Sequence, residues 1–299
     1  MPTIFVGTGD GLRGFTPDGG TSSHQHSGRD VTAVAPEGPA TWVILDGREL
    51  WRTADDGGWT RAGTLEGLRG NCVADTRAGV VVGTSEAHLY SVQDGGLDPV
   101  PSFDAVRGRD EWYTPWGGPP DVRSISEDDD TVYVNVHVGG IVRTKDEGAT
   151  WEPTIDIHAD VHRVWAIADR VFAACARGLA VSEDRGDSWS IRADGLHARY
   201  CRGVAACGDV VLVSASNGPG GGHAAVYRGR LDGGRLERCR EGLPDWFEEN
   251  IDSYCLDAVP DLAAFATADG RVFASMDRGV AWAQVASGLP SVNCVLVMP

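Results

Sequence analysis

A short stretch of the chain carries metal-binding and acid–base residue types at close spacing. The segment HADVH places His158 and His162 four residues apart, with Asp160 between them. Neutral imidazole is a common ligand for zinc, copper, iron and nickel, and a histidine with a pKa of about 6.5 also serves as a general acid or base. We therefore take His137, His158 and His162 as candidate ligands of a divalent transition metal. His137 and His162 are also candidate catalytic residues without a metal.

Two arginines occupy the third position of similar apolar segments, Arg123 in DVRSIS and Arg202 in YCRGVAA. Asn293 has the same place in SVNCVLV. A planar guanidinium binds a carboxylate or phosphate through two parallel hydrogen bonds, so these residues predict a small anionic ligand. The alternative is that the arginines form structural ion pairs with nearby carboxylates, of which Asp121, Asp160 and Asp252 are the candidates.

Aromatic residues supply candidate walls for such a site. Two segments, GRDEWYTPWGGPP (108–120) and GLPDWFEENIDS (242–253), lengthen the chain between otherwise regular repeats. They bring carboxylates as well, and glycoside cleavage needs an opposed carboxylate pair, but nothing in the sequence sets the separation of Glu248 and Glu249 from other acids. The predicted ligand-binding aromatic residues are Trp112, Tyr113, Trp116, Tyr200 and Trp246.

A recurrent eight-residue turn predicts how these residues are positioned. It reads SEDRGDSW at 182–189, TKDEGATW at 144–151 and SMDRGVAW at 275–282, each after a short apolar strand. The aspartate can accept hydrogen bonds from backbone N–H groups of the turn, and the glycine can take a positive φ. The Ser or Thr hydroxyl can brace the turn, and the tryptophan buries a large apolar surface. Weaker copies are TADDGGW, SVQDGG, RLDGG and TPDGG.

The turn belongs to a longer repeat with four strands in each unit. Segments that resemble a first strand recur every 37 to 54 residues, beginning at Asp30, Asn71, Asp121, Asp160, Tyr200, Tyr254 and Ser291. The last of them has no strands after it, and the first 26 residues supply the three that it lacks. This pattern predicts an all-β, seven-bladed β-propeller in one domain over residues 1–299, with a closing blade shared between the N- and C-terminal strands.

The turn resembles the Asp-box, or BNR, repeat of sialidase-like and sortilin-like β-propellers. The resemblance implies that the turns are structural and lie on the face away from the ligand. All eight histidines fall in or beside loops of the opposite face, so we expect the functional site there. Sialidases also need an arginine triad, a tyrosine–glutamate pair and an Arg-Ile-Pro segment; the last does not occur here, which argues against that activity. Sortilin-like and photosystem-assembly propellers with this repeat act as binding modules.

Composition limits the partners and the compartment. The formal net charge is −17, with a single lysine at Lys145, which argues against nucleic acid and anionic membranes as general partners. Seven cysteines without a CxxC pair and without a secretory leader favour free thiols in a reducing compartment. No window approaches the ~20 apolar residues of a membrane span. The sequence thus predicts a cytoplasmic protein.

Two functions follow as hypotheses. In the first, the protein binds, and turns over by hydrolase or lyase chemistry, a small anionic or polar molecule at a channel mouth rich in histidine and arginine. In the second, the protein is a non-catalytic protein-interaction scaffold of the BNR-repeat type, because loop aromatic residues also suit protein contacts.

Overall fold

The computed structural model describes residues 2–54, 57–93 and 96–299 and confirms the predicted fold class. The strands form seven four-stranded antiparallel sheets, which are the blades of a seven-bladed β-propeller. The described residues fall into two compact units. The first comprises residues up to Val31 with 173–180 and 191–299, and the second comprises 32–172 with 181–190. The single domain over the whole chain stays a prediction.

The closing blade is built from both ends of the chain, as the sequence predicts. Its strands are β1 (Thr3–Thr8), β2 (Gly11–Phe15), β3 (Thr21–Gln25) and β28 (Val292–Met298). They are hydrogen-bonded in the order β28-β1-β2-β3, and the register of β1 on β28 runs from Thr3 opposite Met298 to Thr8 opposite Val292. This pairing gives β1 a hydrogen-bonded partner on each side, so the N-terminal strand is not an edge strand.

The other six blades each use four consecutive strands. The first blade has β4 (Val31–Glu37), β5 (Ala40–Leu45), β6 (Glu49–Thr53) and β7 (Trp59–Thr64). The second has β8 (Gly70–Thr76), β9 (Gly79–Thr84), β10 (Leu89–Gln93) and β11 (Gly96–Pro99). The third has β12 (Val122–Asp128), β13 (Thr131–Val136), β14 (Gly140–Thr144) and β15 (Glu152–Pro153).

The remaining three blades repeat the arrangement. The fourth has β16 (Val161–Ile167), β17 (Arg170–Cys175), β18 (Gly178–Ser182) and β19 (Ser190–Arg192). The fifth has β20 (Tyr200–Cys207), β21 (Val210–Ser216), β22 (Ala225–Arg230) and β23 (Gly233–Arg238). The sixth has β24 (Leu256–Val259), β25 (Leu262–Ala266), β26 (Val272–Ser275) and β27 (Ala283–Ala286).

Helical structure is confined to single turns among the described residues. These are one α-helical turn, α1 (Pro101–Asp104), and 3₁₀ turns at Ser85–Ala87, Arg109–Glu111, Ile157–Ala159 and Ser253–Cys255. None of the described helices has the length or apolar character needed to span a membrane.

The inner strands are buried on both faces, as their nearly continuous apolar sequence predicts. Every residue of β13, β14 and β18 is buried, and so is every residue of β21. Polar residues on these strands must therefore find partners inside the fold, either in a turn of their own blade or in a neighbouring blade. In the second unit, Tyr133 donates from its hydroxyl to the Arg185 carbonyl at 2.9 Å, and Arg143 donates to Asp187 at 2.5 Å.

The eight-residue turns have the hydrogen bonds expected from their sequence. In the copy at 182–189, Ser182 Oγ donates to Asp184 at 2.7 Å and accepts from the Gly186 N–H at 2.7 Å. The Asp184 carboxylate accepts from both the N–H and the hydroxyl of Ser188. Trp189 Nε1 donates to the Gly186 carbonyl at 3.2 Å, which anchors the ring at the start of β19.

The other copies follow the same scheme where the structure describes them. Thr144 and Ser275 accept from the N–H groups of Gly148 and Gly279 at 2.9 and 2.8 Å. The weaker copy TPDGG also keeps this bond, from Gly20 N–H to Thr16 Oγ1 at 2.9 Å. Asp55, Asp56, Asp94 and Gly95, from the copies TADDGGW and SVQDGG, lie outside the described residues.

Ser182→Ala is expected to destabilise the protein by about 1–3 kcal/mol, because it leaves the buried Gly186 N–H without an acceptor. Denaturant unfolding followed by circular dichroism measures the change. Ser190→Ala is the matched control, since its exposed hydroxyl makes only a 3.5 Å contact with the Val181 carbonyl, and it should change stability by less than about 0.5 kcal/mol. Equal losses in the two variants would contradict the role of Ser182.

Acid should remove the contribution of Asp184. Hydrogen bonds from the hydroxyl and N–H of Ser188 and from Ser182 lower the pKa of Asp184 from 3.8 to about 2. A carboxyl whose pKa is lowered by folding stabilises the protein fully above its unfolded pKa, and this stabilisation disappears as the pH falls through the folded pKa. The melting temperature of the wild type should exceed that of Asp184→Asn by more at pH 6 than at pH 3. An unchanged difference would show that Asp184 is not ionised preferentially in the folded state.

Candidate functional site

The candidate site begins where β13 ends. His137 follows this strand and is 2% exposed, and its N–H donates to the Asp121 carbonyl at 2.9 Å. The next residue, Val138, has φ of 48° and is buried. A β-branched residue in the left-handed region is a true outlier, because its side chain crowds the backbone. The turn is therefore held in a strained conformation directly beside a buried histidine.

The start of the fourth blade supplies the other two residues. The 3₁₀ turn Ile157–Ala159 is capped by the Asp156 carboxylate, which accepts from the His158 N–H at 2.7 Å. Asp160 ends this turn in the left-handed conformation, with φ of 52° and ψ of 67°, and β16 begins at the next residue. His162, the second residue of β16, is 0% exposed.

These elements bring His137, Asp160 and His162 together. Asp160 Oδ1 lies 3.1 Å from His137 Nε2 and 3.6 Å from His162 Nε2. One potential ligand atom from each residue lies within 4.8 Å of the other two. Both imidazoles are buried, whereas 28% of the Asp160 side chain is exposed. The cluster therefore has a buried imidazole side and an accessible carboxylate side. We call these three residues the His–Asp–His cluster.

The electrostatics of the cluster favour an ionised carboxylate. Burial raises the pKa of Asp160, but the hydrogen bond from His137 and positive charge on His162, His137 and Arg123 outweigh burial. The pKa of Asp160 is therefore lowered from its ordinary value of 3.8. An ionised aspartate beside two imidazoles can hold a cation, or it can orient the imidazoles for proton transfer.

The long segment 108–120 contacts the cluster through Trp116. Trp116 lies on a tight turn in which Thr114 Oγ1 donates to the Gly118 carbonyl at 3.0 Å. Its ring centre is 5.0 Å from that of His137, and 69% of the residue is exposed. The Tyr113 N–H donates to the Val138 carbonyl at 3.4 Å, which attaches the segment to the strained turn.

The two neighbouring aromatic residues have different surroundings. Trp112 packs against Phe103, with ring centres 6.0 Å apart, and lies under the Arg109 guanidinium at 5.0 Å. Tyr113 is 42% exposed, and its hydroxyl lies 3.3 Å from His158 Nδ1. Trp116 is thus the predicted aromatic residue that contacts the cluster, whereas Trp112 packs beneath the segment.

The sequence predicts His137, His158 and His162 as metal ligands, and the structure brings His137 and His162 together with Asp160. His158 lies against Tyr113, and Asp160 takes the place beside His137 and His162. Asp160 stands within the same HADVH segment, so its presence was visible in the sequence. The sequence does not show that the backbone at Asp160 is left-handed, which turns its carboxylate towards the histidines.

The predicted arginine pair is divided between the two units. In the second unit, Arg123 is close enough to lower the pKa of Asp160. In the first unit, Arg202 forms an ion pair with Asp252, and its Nη2 donates to the Tyr200 hydroxyl at 3.4 Å. Arg202 therefore forms an ion pair of the kind that the sequence allowed as the alternative to ligand binding, and Tyr200 accepts a hydrogen bond from its guanidinium.

The other predicted ligand-binding residues lie in the first unit. Asn293 Nδ2 donates to Asp30 at 2.6 Å and to the Val31 carbonyl at 3.0 Å, which ties the last strand to the start of the first blade. The ring of Trp246 lies under the Arg238 guanidinium at 3.9 Å and 4.6 Å from the ring of His197. Trp246 also lines a cleft of about 340 Å³, with Phe247, Glu248, Glu249, Thr267, Ala268, Asp269 and Arg271.

Comparison with known proteins supports the fold. No family model and no curated protein matches the sequence significantly. Similar solved structures include an ancestral GH74 enzyme, which is 13% identical with a TM-score of 0.65. The similarity covers 99% of this chain and 40% of the GH74 chain. YCF48 bound to D1 peptide is 15% identical with a TM-score of 0.56, over 92% of this chain and 86% of that one. BamB from Moraxella catarrhalis is 14% identical with a TM-score of 0.56, over 96% and 85%. At these identities the similarity shows the β-propeller fold alone.

Proposed function

We propose that the protein binds a small anionic molecule at a divalent transition metal held by the His–Asp–His cluster, and that it acts on this molecule by metal-assisted hydrolase or lyase chemistry. The observation that carries the proposal is the convergence of two buried imidazoles and one ionised carboxylate within 4.8 Å. Two histidines and one carboxylate form a donor set that suits zinc, iron, cobalt or manganese.

The environment of the cluster supports a metal site with accessible coordination positions. Three protein ligands leave room for water or substrate, whereas structural zinc sites use four. The partly exposed carboxylate of Asp160 would offer that room, and Trp116 packs against the adjoining His137. A bound metal would lower the pKa of coordinated water and polarise an oxygen of the substrate.

Arg123 supports an anionic ligand. Its positive charge acts on Asp160, so it also favours a carboxylate or phosphate bound at the same place. The proposal therefore assigns anion binding to Arg123 and the metal. Arg202 is left out of the site because Asp252 and Tyr200 engage its guanidinium.

A protein-interaction scaffold is the second candidate, supported by the exposed aromatic residues of segment 108–120. Trp116 is 69% and Tyr113 is 42% exposed, which is high for large rings on a loop. One structural neighbour with the same fold was solved as YCF48 bound to D1 peptide. On this view the cluster is a buried polar network that stiffens the loop beneath a partner.

Metal titration separates the two candidates. Protein purified without a histidine tag and stripped with EDTA should bind one Co²⁺ or Zn²⁺, seen by calorimetry and by the visible spectrum of Co²⁺. Asp160→Asn keeps the size of the side chain but removes its charge. It should weaken binding by more than about 100-fold, because losing a group that only orients a metal ligand already costs 10–100-fold. Wild-type protein that binds no metal would leave the scaffold as the better interpretation.

His158→Ala and His88→Ala are the controls for that titration. His158 is two residues from Asp160 but contacts Tyr113, so its removal should leave metal affinity unchanged. His88 Nδ1 lies 2.8 Å from Asp104 in the same unit, so its removal breaks a histidine–aspartate contact elsewhere. A loss in His158→Ala as large as that in Asp160→Asn would contradict the ligand set proposed here.

The two arginines should differ in their effect on anion binding. With Zn²⁺-loaded protein, Arg123→Gln should weaken binding of succinate, a simple dicarboxylate, by about 10-fold or more, because a hydrogen bond to a charged group contributes roughly 1.5–3 kcal/mol. Arg202→Gln should leave succinate affinity unchanged. Calorimetry measures both, with thermal melting as the check on folding. Equal effects in the two variants would overturn the assignment of the anion to Arg123.

A further inference from the structure

Asn135 is a buried amide whose hydrogen-bonding groups have no partner. The residue is 0% exposed, and neither Oδ1 nor Nδ2 has a hydrogen-bond partner among the residues that the structure describes. Buried side-chain amides in folded proteins are almost always hydrogen-bonded, to protein or to ordered water. An unpaired buried amide therefore indicates that a further group, such as a water molecule, is bound beside it.

The position of Asn135 on its strand shows which surface it faces. Residues i and i+2 of a strand point to the same side, so Tyr133 and Asn135 share one face of β13, and His137 lies in the turn that follows the strand. The hydroxyl of Tyr133 reaches the Arg185 carbonyl of the fourth blade, and His137 Nε2 reaches Asp160. Asn135 therefore also faces the fourth blade, between these two contacts.

Strand pairing shows how far Asn135 lies from the loops at the end of the blade. Asn135 lies opposite Ser124 in β12, and Ser124 Oγ accepts from the Val164 N–H of β16 at 2.9 Å. His162 stands two residues before Val164 on β16, and His137 stands two residues after Asn135, in the turn that follows β13. Both histidines are thus one step nearer the loops than Asn135, which places Asn135 at the inner end of the His–Asp–His cluster.

A second buried atom without a partner among the described residues belongs to His137, two residues after Asn135. His137 Nδ1 is buried and has no hydrogen-bond partner among the described residues, although His137 Nε2 contacts Asp160. A histidine that binds a metal through one nitrogen usually donates from the other to an oxygen, which fixes its tautomer and orientation. Asn135 offers both a donor and an acceptor, so a single water can join it to the imidazole.

We propose that Asn135 is a positioning residue for the His–Asp–His cluster, which it orients through a buried water bound between its amide and His137 Nδ1. The water accepts from the imidazole Nδ1–H and donates to Asn135 Oδ1, which holds His137 Nε2 towards Asp160. Without a metal Nε2 donates to the Asp160 carboxylate, and a bound metal would replace the proton on Nε2. Its effect on metal affinity rests on the proposed function; the water and the tautomer do not.

Asn135→Val tests the proposal in two independent measurements. The first is made without metal: a high-resolution crystal structure of the wild type should show a water between Asn135 and His137, and ¹⁵N chemical shifts should show His137 protonated at Nδ1. Both features should be lost in Asn135→Val. Wild-type crystals without this water, or ¹⁵N shifts unchanged by the substitution, would overturn the proposal whether or not the protein binds a metal.

The second measurement is metal affinity. Asn135→Val should weaken Zn²⁺ binding by about 10- to 100-fold, the usual effect of losing a group that orients a metal ligand. The apo protein should stay folded but melt at a lower temperature than the wild type, because the substitution leaves the buried Nδ1–H of His137 without its water. A change in affinity of less than two-fold, with wild-type protein that does bind Zn²⁺, would reject the positioning role while leaving the proposed function intact.

Tyr133→Phe is the matched control. Tyr133 shares the strand face of Asn135 and also carries a buried polar group, but it lies two residues farther from the cluster and bonds to the Arg185 carbonyl. Its loss should lower the melting temperature without changing Zn²⁺ affinity or the ¹⁵N shifts of His137. The different effects of the two variants on Zn²⁺ affinity and on the ¹⁵N shifts separate positioning of the cluster from general stability of the strand.

Discussion

Complete burial of the inner strands is the constraint on which the candidate site depends. Every residue of β13 and β14 is buried, so each polar side chain on them must be satisfied by its own turn, by the neighbouring blade or by something bound there. Tyr133 and Arg143 meet this requirement with residues of the turn at 182–189. The same strand face then carries Asn135 and His137 towards the start of β16. Structural and candidate functional residues thus lie along one continuous buried surface.

The sequence predicted the architecture well because its signals are local. The eight-residue turn contains its own donors and acceptors: Ser182, Asp184 and Ser188 bond within seven residues, so spacing alone is informative. The closing blade followed from counting strands at the two ends of the chain, and the pairing of β1 with β28 confirms it. Neither inference needed the angle between blades or the rotamer of any side chain.

The site was less predictable because it depends on backbone conformations that residue types do not announce. Residue type and strand position were enough to select His137 and His162 as candidate site residues. The choice between His158 and Asp160 depends on the left-handed φ of 52° at Asp160. The two arginines were equivalent in strand position and differ in what surrounds them: Asp252 is close enough to pair with Arg202, and Arg123 stands by the cluster. Asn135 could not be selected, because a polar residue in an apolar strand gives no sign of whether it finds a partner.

Backbone strain adds a separate physical argument for the site. Val138 and Asp160, which adjoin or belong to the His–Asp–His cluster, both have left-handed φ angles without being glycine. Each such residue costs of order 1–3 kcal/mol and persists only where its surroundings determine the conformation. Here the surroundings are the buried strands β13 and β16 and the bond from Tyr113 to the Val138 carbonyl. A glycine at position 138 would relieve the strain but would also loosen the turn beside His137. The rigid, strained turn is what a pre-organised ligand set requires, because a metal site loses affinity when its ligands must be ordered on binding.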